Sequence, residues 1–129
     1  MKKLHLIFGL IMVVIFLLTG QYMVFRLHGM LGMPDTPRLL YRSRHIYLLL
    51  GALVNLSLGL YLTNSPVRWR TVLQRIGSLL IILSPLLFLA GFFRDTTRGD
   101  LEMPLSKWGA FTILGGSIFH LIAAARQSS

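Results

Sequence analysis

The chain has 129 residues, of which 54% are hydrophobic and only 13% charged, against roughly 25% charged residues in soluble domains. A soluble protein of this length could not bury that much apolar surface, so the composition predicts a membrane protein. The absence of cysteine excludes disulfides and thiolate metal sites. The net charge of +9 comes from basic residues that mostly flank apolar runs, which indicates contact with anionic lipid head groups and not with nucleic acid.

Four apolar runs follow one another along the chain, at residues 4–27, 45–62, 72–93 and 108–125. Each has about the 17–25 residues that a helix needs to cross a bilayer. Because backbone amides in lipid must be bonded within their own segment, we predict helices. The short connections make consecutive helices antiparallel neighbours. The predicted fold is therefore an all-α membrane protein, a four-transmembrane-helix up-and-down bundle in a single domain, residues 1–129.

The first run resembles the start of a signal peptide, because two lysines precede it. The residues before Gln21 do not form a cleavage site, and the apolar character continues through Phe25, so we expect a retained helix. Basic residues are almost evenly divided between the two sides of the membrane. The lysine pair at Lys2 and Lys3 and the acid-free loop at residues 65–70 favour both termini in the cytoplasm. We expect a bacterial inner-membrane protein.

The segment that leads into the second run, RLLYRSRHIYLLL, combines arginines with a histidine at the predicted membrane surface. At helical spacing Arg38, Arg42 and His45 share one face, while Arg44 points elsewhere, where we expect it to anchor the helix at lipid phosphates. Histidines on facing helices can hold b-type haem, and His28 closes the first run on the same side as His45. Arg38 and Arg42 would then bind haem propionates, a quinone carbonyl or a phospholipid phosphate.

The loop between the first and second runs carries a second candidate site, in the sequence HGMLGMPD. Thioether and imidazole are soft ligands that select Cu(I). His28, Met30 and Met33 therefore form a candidate copper site.

Polar residues inside the runs provide the remaining candidates. Asn55 lies near the centre of the second run, where its amide must be bonded, so we expect an interhelical hydrogen bond, with a ligand contact as the alternative. His120 lies on a stripe of small residues in the fourth run, and its one partner candidate on that side is His5. Pro85 is expected to kink the third helix. The predicted packing stripes are Gly109, Thr112, Gly116, His120 and Ala123; Gly51, Asn55 and Gly59; and Gly77, Ser84 and Gly91.

Catalytic motifs are missing from the sequence, and all four acidic residues fall between the apolar runs. In particular, RDTTRGDLE (residues 94–102) is predicted to be a solvated loop whose charges neutralise one another. We therefore predict a non-enzymatic membrane protein that works as an accessory or self-associating helical subunit, in a homo-oligomer or a larger membrane complex. The alternatives are electron transfer with haem b or a quinone, and copper binding.

Overall fold

The computed structural model describes residues 1–98, 102 and 104–125. Within these residues the chain forms four long helices and no strand: α1 (Lys2–Phe25), α2 (Asp35–Tyr61), α3 (Arg68–Arg98) and α4 (Pro104–Ala125). A single 3-10 turn, His28–Met30, lies between α1 and α2. All four helices are long and apolar enough to cross a membrane, which confirms the predicted all-helical class.

Two helices extend well beyond the apolar runs that predicted them. α2 begins at Asp35, ten residues before the run at residues 45–62, because Pro34 ends the preceding extended backbone and an acidic residue favours the first turn. Pro37 is compatible with that turn, whose backbone N–H groups have no helical acceptor. α3 continues through Asp95 to Arg98. The prediction of a solvated loop from residue 94 is therefore wrong at its start.

Consecutive helices pack antiparallel, α1 on α2, α2 on α3 and α3 on α4, whereas α1 and α4 share few contacts. The chain therefore runs up and down as predicted. We call the end where α1 and α3 begin and α2 and α4 end the terminus end, and the opposite end the far end.

The predicted stripes of small residues form the contacts between neighbouring helices. A Cβ atom added to Gly59 of α2 would lie 2.7 Å from the backbone of Leu6 in α1. A Cβ on Gly116 of α4 would lie 2.6 Å from the carbonyl oxygen of Gly77 in α3. Only a hydrogen atom fits at these positions, so the backbones approach as closely as small residues allow in membrane helix pairs.

The interior toward the far end is filled with large apolar and aromatic side chains. Met12, Leu48, Phe88 and Phe92 are at most 1% exposed. The ring of Tyr41 meets the edge of Phe92 at 5.3 Å between centroids. The outward faces of all four helices are largely apolar as well, with Ile7, Val14, Leu53, Leu79, Leu114 and Leu121 each at least half exposed.

Candidate functional site

The candidate site is built around the backbone carbonyl of Ile81, which lacks its usual helical hydrogen bond because residue 85 is a proline. Pro85 has no N–H, so the carbonyl of Ile81 cannot accept the usual hydrogen bond four residues along α3. Two side chains replace it. Asn55 Nδ2 donates to the Ile81 oxygen from α2 at 3.3 Å, and the Ser84 hydroxyl donates to it at 3.0 Å. α3 therefore continues through Pro85 without a break.

The same hydrogen bonds determine how the Asn55 amide is oriented. Its Nδ2 also donates to the carbonyl oxygen of Gly51 at 2.8 Å, and carbonyl oxygens can only accept. The amide oxygen therefore faces the other way, toward Nδ1 of His5 in α1, 2.8 Å from it. Asn55 is fully buried and links three helices, so the predicted interhelical hydrogen bond is confirmed.

The orientation of Asn55 determines the tautomer of His5. Because the amide oxygen of Asn55 can only accept, Nδ1 of His5 must carry a proton. In the neutral imidazole Nε2 then has a bare lone pair. His5 is 0% exposed, and its Nε2 contacts no hydrogen-bond donor within the described part of the chain.

His120 of α4 completes the cluster at the terminus end. Its ring lies edge-on to that of His5, with 6.5 Å between the centroids and an interplanar angle of 75°. Nε2 of His120 is 3.2 Å from the hydroxyl oxygen of Ser78 in α3. The structure therefore brings together the His120 and His5 pair that the sequence suggested, although α1 and α4 share few other contacts. We call His5, Asn55, Ser78 and His120 the histidine cluster.

A groove of about 390 Å³ lies beside this cluster, between α2, α3 and α4. Its walls are mostly apolar, and His120 is the one imidazole among the residues that line it. Gln74 lines it too, but its amide is bonded to the α2–α3 connection, donating to the Thr63 carbonyl at 2.9 Å and accepting from the Ser65 N–H at 3.3 Å. An apolar molecule with one polar group would fit this arrangement.

The predicted haem pair of His28 and His45 lies near the far end, and the structure does not bring its members to the same level. His45 is half-buried against α1, with Nδ1 3.1 Å from the Thr19 hydroxyl and its ring stacked on Phe16 at 4.0 Å. His28 is exposed and lies beyond the end of α1, nine residues after Thr19. Haem binding by this pair stays a prediction.

Arg38 and Arg42, the two arginines predicted to bind a ligand beside His45, lie in different environments. Arg38 is held by its own segment, donating to the Met33 carbonyl at 2.9 Å and pairing with Asp35 at 3.1 Å. Arg42 is exposed, and its contact with a ligand or a lipid phosphate stays a prediction.

The three predicted copper ligands do not share an environment. The side chain of Met30 is buried in the apolar core, Met33 is half-buried against that core, and His28 is exposed. The backbone of both His28 and Met30 has positive φ, 49° and 63°, which is uncommon for residues other than glycine. Copper binding here stays a prediction.

Arg44 was expected to point away from the interior, and this expectation is wrong. The side chain is 1% exposed, and its Nη1 donates to the Ser43 hydroxyl at 2.8 Å, while Nε and Nη2 have no partner among the described residues. Asp95 of α3 is buried as well. Its carboxylate accepts from the backbone N–H and hydroxyl of Ser106 at 3.1 and 3.0 Å, and so caps the start of α4.

Interior polar residues outside the predicted sites include Ser78 and Asp95, and the sequence named His5 only as a partner candidate of His120. His5 lies close to the chain terminus and Asp95 lies in a charged segment, and polar residues at such places are usually solvated. Only the pairing of the helices brings them into the interior. Comparisons of the chain with family models, with curated proteins and with solved structures give no match.

Proposed function

We propose that the chain is an integral membrane protein whose four helices all cross a bacterial inner membrane, with both termini in the cytoplasm. The largely apolar outward faces of the four helices support insertion, because many polar groups at those positions would be desolvated without partners in lipid. Lys2 and Lys3 at the start of α1, and Arg68 and Arg70 at the start of α3, lie together at the terminus end, which supports a cytoplasmic position near anionic head groups.

Cysteine labelling tests this topology cleanly, because the natural chain has no cysteine. Leu31→Cys places a thiol in the exposed far-end turn, and Asn64→Cys places one in the exposed α2–α3 connection. In intact cells whose outer membrane has been removed, a membrane-impermeant thiol reagent should label Cys at residue 31. It should label Cys at residue 64 only after the membrane is permeabilised. The reverse pattern would overturn the orientation, and equal labelling of both sites would overturn the four-span topology.

Within the membrane we propose that the protein is a non-catalytic accessory or self-associating subunit that acts through its helices. One observation supports this most directly: several interior polar groups of the described helices bind one helix to the next. Asn55 joins α2 to α1 and α3, Ser78 meets His120 of α4, and Asp95 caps α4. The outward faces remain apolar and available for another helix or for lipid.

The accessory role can be tested by gentle detergent extraction from the natural host followed by affinity purification. We expect a second membrane protein in fixed stoichiometry, or a homo-oligomer whose mass light scattering measures independently of bound detergent. A monomer that purifies without any partner, at a concentration comparable to that in the membrane, would contradict this function.

Binding of a quinone is a second candidate function, and the apolar groove with His120 in its wall favours it. An imidazole can donate a hydrogen bond to a quinone carbonyl while the apolar walls contact the ring and tail. Solvent extraction of the purified protein followed by chromatography should then recover close to one quinone per chain. Leu121→Trp, which adds a bulky ring to the groove wall, should reduce that amount, whereas Leu114→Trp on an exposed part of the same helix should not.

A further inference from the structure

The bare Nε2 of His5 is the one feature of the histidine cluster that helix packing does not explain. Asn55 holds the ring in a fixed orientation through Nδ1, so Nε2 points in a defined direction with its lone pair exposed to the interior. The atom is buried and has no donor among the described residues. A buried acceptor is normally hydrogen-bonded, so this lone pair requires another partner.

We propose that His5 and His120 are the two protein ligands of one metal centre that binds neutral imidazoles. Metal–nitrogen bonds of about 2.0–2.1 Å, with each ring centroid about 1 Å behind its nitrogen, place two imidazoles on opposite sides of one metal about 6 Å apart between centroids, and closer in a bent arrangement. The observed centroid separation is 6.5 Å, slightly longer than this upper limit. The two rings would therefore move toward each other by about half an ångström or more to share a metal.

The partner of the His5 ring suits this role, and the partner of the His120 ring can be released from it. A metal-binding histidine commonly donates its second N–H to an oxygen, which fixes the ring and makes the ligating nitrogen more basic. Asn55 provides that oxygen for His5 at 2.8 Å. For His120, the Ser78 hydroxyl 3.2 Å from Nε2 can rotate to a carbonyl of its own helix, as helical serines often do, and so release that nitrogen.

The number of ligands restricts the kind of metal. Within the described residues no third His, Asp or Glu joins the pair. Structural zinc almost always takes four ligands, and an ion with two positive charges in an apolar interior is strongly disfavoured without anionic ligands. Two neutral imidazoles suit Cu(I), which carries a single charge and accepts two ligands.

Such a centre would connect α1 to α4, the two helices that otherwise share few contacts. It differs from the predicted sites at His28, His45 and the methionines, which lie toward the far end. It also does not depend on the accessory role, because a subunit of a larger complex and an isolated protein could both hold the metal.

Copper binding is tested by titrating the full-length protein in detergent with Cu(I) under anaerobic conditions, against a chromogenic chelator. We expect one Cu(I) per chain for the natural sequence. Affinity should fall at least tenfold in His5→Ala and in His120→Ala. It should fall about 10–100-fold in Asn55→Ala, which removes the oxygen that orients His5 together with the amide's bonds to the Gly51 and Ile81 carbonyls. Ser57→Ala, on the same helix but exposed, should bind like the natural protein. Loss of binding in His28→Ala with His5→Ala unaffected would overturn the proposal.

X-ray absorption of the copper-loaded natural protein gives a result that does not depend on any variant folding. It should show nitrogen ligands with imidazole scattering and no sulfur. Sulfur in the first coordination shell would place the metal on methionine and overturn the proposal.

Failure of the natural protein to bind Cu(I) would overturn the proposal and leave the accessory function unaffected.

Discussion

Asn55→Leu removes the amide that joins three helices while keeping a side chain of similar size. The largest loss is the 2.8 Å bond to His5, whose Nδ1–H then has no acceptor in the interior. The 3.3 Å bond to the Ile81 carbonyl is lost as well, but that oxygen keeps the Ser84 hydroxyl at 3.0 Å. At about 0.6–2 kcal/mol for an interhelical hydrogen bond in a membrane protein, we expect the free energy of unfolding to fall by about 1–3 kcal/mol.

This change can be measured by reversible unfolding in mixed micelles with increasing denaturing detergent. Ser57→Ala is the matched control, because Ser57 lies two residues away on the exposed face of α2 and bonds only to its own helix, at the Leu53 carbonyl. We expect that control to change stability by less than about 0.5 kcal/mol. A double-mutant cycle with His5→Phe should give a coupling energy of about 1 kcal/mol. If Asn55→Leu is no more destabilising than Ser57→Ala, the argument from the Asn55 hydrogen bonds is wrong.

Two further substitutions test other contacts between helices. Gly116→Ala should lower the free energy of unfolding by about 1–3 kcal/mol, because the new methyl group would lie 2.6 Å from the Gly77 carbonyl. Gly115→Ala is the control: its nearest contact would be at 3.9 Å, so it should be neutral or slightly stabilising. Equal effects in this pair, measured by the same unfolding assay, would refute the close approach of α3 and α4. Asp95→Ala should lower thermal stability through loss of the cap on α4, which is worth about 1–2 kcal/mol. Asp35→Ala, which removes an exposed carboxylate, should lower thermal stability less. The opposite order would show that the buried cap is not important.

The helices and the faces that join them could be predicted because both follow from local sequence. An apolar run of sufficient length predicts a helix whatever surrounds it, and small residues at spacings of three and four predict a contact face. The stripe Gly51, Asn55 and Gly59 is buried as expected. Continued toward the start of α2 in steps of three and four, the same stripe passes through Leu48, Arg44 and Tyr41, all of them buried. The sequence therefore contained a signal for the burial of Arg44, but its charge suggested the surface instead.

The histidine cluster could not be predicted in full, because it depends on how far each helix is shifted along its neighbour in the three packed pairs. Asn55 was expected to bond across helices, but the sequence does not specify the partner. The link between Pro85 and Asn55 is also non-local, since it requires the Ile81 carbonyl of one helix to face the amide of another. Asp95 was misplaced because hydropathy detects where the apolar run ends, and helical hydrogen bonding continues beyond it.

α1 and α4 meet at the terminus end, where His5 lies beside His120. Cysteine crosslinking in isolated membranes tests this arrangement most directly, since the natural chain has no thiol. In His5→Cys with His120→Cys, a short bifunctional thiol reagent should join the two helices. After cleavage at a protease site inserted in the α2–α3 connection, the two halves should then migrate as one band.

The matched pair, His28→Cys with His120→Cys, places its thiols at opposite ends of the bundle and should give two separate fragments. A crosslink in the first pair and none in the second is the predicted result. Separate fragments from both pairs, or a crosslink only in the second, would contradict the arrangement of helices that brings the histidine cluster together.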